Sequence, residues 1–62
     1  MKKIDPDIQN VKVGDIIAMG TSTHTYEVTF VGKRDIKASH TTKDAKVRIS
    51  IAHEAIDWTV VG

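Results

Sequence analysis

Apolar side chains recur at every second position in three successive segments between Thr25 and Ala52. The segments are TYEVTFVG, IKASHTT and KVRISIA, and the gaps between them carry charged residues after a glycine or a threonine pair. A period of two is that of a β-strand, whose successive side chains point to opposite faces of the sheet. The pattern therefore predicts a three-stranded β-meander over this stretch.

The alternation also predicts which side chains of the meander face the core and which face solvent. Lys37 and Arg48 fall on the solvent side of neighbouring strands, and His40 falls on the inner side near Tyr26. The full inward set consists of Tyr26, Val28, Phe30, Ile36, Ala38, His40, Val47, Ile49 and Ile51.

Pairing of like faces restricts the lengths of the two turns, because residues opposite one another in an antiparallel pair share a face. The turn after Thr42 should contain an even number of residues, either Lys43 and Asp44 or all of 43–46. The turn around Gly32, Lys33 and Arg34 should contain an odd number. Gly32 suits a positive φ or a bulge at that turn.

Two further strands are predicted on either side of the meander. The first runs from Val11 to Met19 with a kink at Gly14, and the last runs from Trp58 to Val61 after one 3₁₀ turn within residues 53–57. Residues 1–10 are predicted to be an extension whose first four residues are frayed. A helical turn capped by Asp5, or a plain turn, follows them.

This layout resembles an SH3-like small barrel over residues 11–62. The predicted fold is therefore an all-β, five-stranded, partly open SH3-like barrel with a meander at its centre and one 3₁₀ turn before the last strand. The predicted core consists of Val13, Ile16, Ala18, Val28, Phe30, Ile36, Ala38, Val47, Ile49, Ile51, Trp58 and Val60.

The resemblance is one of layout and not of motif. TSTHT stands in the first loop, where proline-binding SH3 domains carry acidic and aromatic residues, and no tryptophan opens the strand after Gly32. Proline-peptide binding is accordingly not expected. Other members of this barrel class, ribosomal and transcription-associated ones among them, bind RNA, DNA or protein, and the fold alone does not choose among these uses.

The chain has 62 residues and no cysteine. It is predicted to form one domain, residues 1–62, near the lower size limit for independent folding, with no disulfide or cysteine-based zinc site to support the core. No apolar run approaches the ~20 residues of a membrane helix, and MKKIDPDIQN has no apolar segment of the signal-peptide kind. A cytoplasmic location without membrane contact is the expectation.

Charge is distributed unevenly along the chain, although the formal total is only +1. Residues 33–48 contain six basic and two acidic side chains, a local charge of +4, and the remainder carries −3. A domain polarised in this way orients its encounters with charged partners.

The sequence offers no catalytic or metal-binding motif. His24, His40 and His53 are separated by 16 and 13 residues, which matches no local ligand spacing. Ser22, Thr23 and His24 lie in one loop, but adjacency in sequence does not make a catalytic triad. We therefore expect no enzymatic activity, no metal and no cofactor.

The basic hairpin is the feature that predicts a function. We expect a non-enzymatic binding module that contacts RNA or DNA through the phosphate backbone. Base stacking is not expected, because Tyr26, Phe30 and Trp58 all fit the core. The predicted contact residues are Lys33, Arg34, Lys37, Lys43, Lys46 and Arg48.

Several alternatives to nucleic-acid binding stay open at this point. The cations can form a solvated face that protects a sheet edge, or they can meet an acidic protein surface. The chain can also be a small protein-interaction module similar to phage or mobile-element accessory proteins. A homo-oligomer would form if an edge strand, either Val11 to Met19 or Trp58 to Val61, paired with a copy of itself.

Overall fold

The computed structural model describes residues 2–5, 10–20 and 22–62, which form a single antiparallel sheet. Its strands follow the order β1-β6-β2-β3-β4-β5. A 3₁₀ turn, Ala55–Asp57, precedes the last strand. The strands are β1 Lys2–Lys3, β2 Ile16–Met19, β3 Tyr26–Val31, β4 Asp35–His40, β5 Lys46–Ser50 and β6 Trp58–Val60.

The all-β prediction is confirmed, together with the central meander and the 3₁₀ turn before the closing strand. The sheet is not closed by hydrogen bonds, because within the described ranges β1 and β5 lie at its two ends and do not pair with each other. No helix in these ranges is long and apolar enough to cross a membrane.

The first predicted strand, Val11 to Met19, is shorter than expected. It begins at Ile16 because a tight turn precedes it, in which the Asp15 N–H donates to the Lys12 carbonyl at 3.0 Å and Gly14 adopts a φ of 97°. Only glycine adopts that conformation without strain. The Gly14 N–H still donates to the Val28 carbonyl at 2.8 Å, so the turn lies against β3.

The prediction of a frayed N-terminus is wrong for residues 2–4, and Met1 lies outside the described residues. Lys2 and Lys3 pair with Val60 and Thr59 as a sixth strand, and Ile4 is only 3% exposed. The Ile4 N–H donates to the Trp58 carbonyl at 3.1 Å. The turn predicted after Asp5 falls on residues 6–9, which lie outside the described residues.

A β-bulge at Thr29 overturns the inward placement of Phe30. Val28 pairs with Ala38 and Phe30 pairs with Lys37, so Thr29 has no opposing residue. Two consecutive side chains, Thr29 and Phe30, are therefore exposed, and Phe30 is 48% exposed instead of buried. Alternation resumes with Val31, which packs against the core.

The bulge also changes the predicted turn parity. Gly32 N–H donates to the Asp35 carbonyl at 2.8 Å, so the turn holds the two residues Lys33 and Arg34 and not an odd number. The extra residue sits in β3 instead of in the turn. Gly32 has no positive φ; a Cβ there would lie 2.8 Å from Phe30 Cε2 and 2.9 Å from Asp35 Oδ1.

The second turn has the predicted even length but a different position. The His40 N–H donates to the Ala45 carbonyl at 2.7 Å, which leaves residues 41–44 in the turn. Ile36 pairs with Ile49 and Ala38 with Val47, so the predicted faces of β4 and β5 are preserved.

The core agrees with the predicted set at most of its positions. The predicted burial of Val13 and Phe30 is wrong, because Val13 is 64% exposed and Phe30 is exposed as well. Ile16 is only half-buried. Buried residues that the pattern did not assign to the core are Ile4, Val11, Ile17 and Ala55. Neither strand suggested for self-pairing is an edge, since β2 lies between β6 and β3, and β6 between β1 and β2.

Candidate nucleic-acid interface

The outer face of strands β4 and β5 brings two of the predicted cations together. Lys37 and Arg48 are direct cross-strand partners, and both side chains are exposed. Directly opposed residues have Cβ atoms about 4.5–5.5 Å apart. Lys46, opposite Ser39, lies two residues along β5 on the same face.

An open groove with a volume of about 600 Å³ follows this face. Its polar side chains include two hydroxyls, from Thr29 and Ser39, which add neutral hydrogen-bonding groups to the cations. The groove is lined by Thr29, Lys37, Ala38, Ser39, Lys46, Val47 and Arg48.

Asp35 partly neutralises this face. Its Oδ2 accepts a hydrogen bond from Arg48 Nε at 2.6 Å, and the two side chains are 18% and 73% exposed. An ion pair this accessible contributes only about 0–1 kcal/mol to stability. The Arg48 side chain also stays largely exposed to solvent.

The six predicted cations do not form one cluster. Lys33 and Arg34 occupy the β3–β4 turn, whereas Lys43 occupies the β4–β5 turn at the opposite end of the six-residue β4. At about 3.3 Å per residue, the two turns are roughly 20 Å apart. The six side chains, all exposed, are spread along the length of the hairpin.

Phe30 also lies on this face, although the sequence pattern assigned it to the core. The Lys37 ammonium lies 5.5 Å from the centroid of the Phe30 ring. Phe30, Lys37 and Arg48 are successive cross-strand neighbours, so they form one row across β3, β4 and β5. The available signal was the adjacent apolar pair of Phe30 and Val31, which cannot both point inward in a regular strand.

His40 lies near Tyr26 as predicted and closes the β4–β5 turn. The two residues are cross-strand partners whose ring centroids lie 5.0 Å apart. His40 Nδ1 accepts hydrogen bonds from the N–H groups of Thr42 at 3.1 Å and Lys43 at 3.0 Å. An accepting Nδ1 carries no proton, so the hydrogen-bond pattern assigns the proton of the neutral ring to Nε2.

The assigned tautomer joins His40 to His24. His40 Nε2 lies 3.1 Å from His24 Nδ1, to which it donates. Partial burial, then the charges of His24 and Lys43, lower the pKa of His40 below its ordinary value of about 6.5. His40 Nε2 and His24 Nδ1 are therefore hydrogen-bonded to each other.

No group of three or more potential metal ligands occurs among the described His, Asp and Glu residues. In the first loop, the Ser22 Oγ accepts from the backbone N–H of His24 at 3.1 Å. This contact is a local turn bond and does not place the imidazole as a base for the serine.

Comparison of the chain with protein-family models, with curated proteins and with solved structures finds no match.

Proposed function

We propose that this protein is a non-enzymatic binding module that contacts the phosphate backbone of RNA or DNA through the outer face of β4 and β5. The observation that carries the proposal is the direct pairing of Lys37 with Arg48. Like charges opposite one another destabilise a sheet. A polyanion seated between them turns that repulsion into two favourable charge-assisted contacts.

The groove beside these cations supports backbone contact over base readout. It is open and lies on a sheet face, with no helix or ribbon that projects from it into a groove of duplex DNA within the described ranges. Contacts to phosphates set position and affinity without reading the sequence. The affinity of such a site falls steeply as salt concentration rises.

Fluorescence anisotropy with short labelled single-stranded and duplex oligonucleotides at low salt tests this proposal. The variant K37E/R48E should lose binding, because it reverses both charges of the central pair. Single charge removals such as K37Q and R48Q should each reduce the slope of log affinity against log salt by about one.

A matched control is the variant K3E/K12E, which makes the same change in net charge. Lys3 lies in β1, at the other end of the strand order from β5, and Lys12 precedes β2; both side chains are exposed. This control should bind almost as well as the wild type. Absence of salt-sensitive binding in the wild type, or equal loss in both variants, would remove the proposal.

We also propose that the sheet is an SH3-like small barrel left open along one side. Its support is the looped connection between β2 and β3, the meander β3-β4-β5, and the 3₁₀ turn before the short β6. Strand β6 returns to pair with β2, which brings the chain back on itself as closure of a small barrel requires.

The second candidate function is binding of a protein strand along β5. Strand β5 has a strand neighbour on one side only in the described sheet. An acidic partner strand would complement Lys46 and Arg48 and add main-chain hydrogen bonds at this edge. This alternative predicts a protein partner and little salt-sensitive oligonucleotide binding; self-pairing at the same edge predicts dimers in light scattering.

A further inference from the structure

The exposed aromatic ring of Phe30 has a defined position on the outer face. The bulge at Thr29 turns it outward, and Gly32 leaves room for it, since a Cβ on Gly32 would lie 2.8 Å from Phe30 Cε2. Any larger residue at position 32 would have to displace the ring. The Phe30 ring therefore lies beside the backbone of Gly32.

The row that begins at Phe30 continues with two cationic residues. Lys37 is its cross-strand partner, with the ammonium 5.5 Å from the ring centroid, and Arg48 is the next residue in the row. Strands lie about 4.8 Å apart, so the row spans roughly 10 Å from the Phe30 Cα to the Arg48 Cα. One aromatic ring and two cationic groups thus lie side by side.

This combination matches the chemistry of single-stranded nucleic acid. Unpaired bases expose π-faces that stack on aromatic side chains, and the connecting phosphates bind cations in the same groove. The bases of a duplex stack on one another and are closed to a ring on a flat sheet face. An acidic protein has no such π-face beside each charge.

We propose that the row Phe30, Lys37 and Arg48 binds single-stranded nucleic acid, with one unpaired base stacked on Phe30 and the adjoining phosphates held by the two cations. This inference rests on the proposed backbone-binding function and adds that the ligand is unpaired. Thr29 and Ser39 line the groove beside this row. In the proposed complex, they lie along the same nucleotide strand.

Anisotropy with three probes at low salt tests the inference: labelled oligothymidylate, a labelled duplex of equal length, and labelled polyglutamate, which is a polyanion without bases. Wild-type protein should bind oligothymidylate more tightly than the duplex. Phe30→Ala should weaken oligothymidylate binding by about fivefold or more and leave the other two probes unchanged. Phe30→Tyr, which keeps the ring, should retain the wild-type affinity.

A second readout reports stacking directly. Trp58 is the single tryptophan of the chain and is 4% exposed, so wild-type emission should change little on binding. Phe30→Trp places an indole on the outer face, and oligothymidylate should quench its emission while polyglutamate does not. Circular dichroism of each variant checks that the sheet is intact.

The outcomes separate the two proposals. Equal binding of single strand and duplex, with Phe30→Ala indistinguishable from wild type, would overturn base stacking and leave backbone binding standing. No salt-sensitive binding of either oligonucleotide would overturn both. Loss of polyglutamate binding in Phe30→Ala would also overturn the stacking role, because that probe has no bases.

Discussion

At the scale of single residues, His40 connects the interior of the sheet to the β4–β5 turn. Its Nδ1 accepts two backbone N–H groups of the turn, its Nε2 faces His24, and its ring packs against Tyr26. Protonation at Nδ1 would replace an acceptor with a donor that faces two other donors. The two hydrogen bonds from the turn to Nδ1 therefore form only while His40 is neutral.

This arrangement predicts a pH-dependent stability. The pKa of His40 is lowered in the folded state, so the unfolded chain takes up the proton first as the pH falls below about 6.5. The free energy of unfolding should be highest above about pH 7 and decline as the pH falls through the lower, folded-state pKa. Urea denaturation followed by circular dichroism across this range measures the decline.

A non-titrating substitution isolates the contribution of His40. Asparagine offers an acceptor oxygen close to the position of Nδ1, so His40→Asn should keep the turn and flatten the pH dependence. His53→Asn is the matched control, because His53 is exposed and lies outside this cluster. An unchanged pH slope in His40→Asn would show that other groups cause the decline.

At the scale of elements, the β4–β5 hairpin sets how much of its positive charge is available to a ligand. Asp35 on β4 pairs with Arg48 on β5 at 2.6 Å and competes with any phosphate for the guanidinium. A phosphate that binds this guanidinium is repelled by the nearby carboxylate.

Asp35→Asn should therefore strengthen oligonucleotide binding. An exposed ion pair contributes about 0.2–1 kcal/mol, which corresponds to a gain in affinity of about 1.5- to fivefold. Anisotropy titrations of Asp35→Asn against wild type measure the gain. Asp57→Asn, at the exposed last residue of the 3₁₀ turn, is the matched control and should bind like the wild type. A loss of affinity in Asp35→Asn would contradict the proposed interface.

The same hairpin shows what the sequence pattern could and could not predict. The shared face of Lys37 and Arg48 depends only on an even turn, so a shift of two residues in the turn left that prediction intact. The predicted inward placement of Phe30 required an uninterrupted alternation in β3. The unpaired residue Thr29 moved the Phe30 side chain to the opposite face of the sheet. The segment YEVTFVG is compatible with both a regular and a bulged strand.

At the scale of the whole molecule, the N-terminal segment completes the core. A chain of 62 residues buries only about 60% of its unfolded surface, so each buried aliphatic side chain is a large share of its stability. Ile4 is 3% exposed and belongs to the same hydrophobic cluster as Ile17 and Trp58. The local sequence pattern could not assign Ile4 to this cluster, because the preceding strand β1 is only two residues long and pairs with β6, which is distant in sequence.

The substitution Ile4→Ala should consequently destabilise the entire fold. Removal of a buried isoleucine side chain to alanine costs about 2–5 kcal/mol. For a domain of this size each kcal/mol lowers Tm by about 4–8 °C, so a decrease of at least about 8 °C is expected in thermal denaturation. Ile56→Ala makes the same chemical change at a side chain that is 58% exposed and should alter stability by less than about 0.5 kcal/mol. Equal Tm values for the two variants would mean that the N-terminal strand does not pack onto the core, and the sheet would then end at β6.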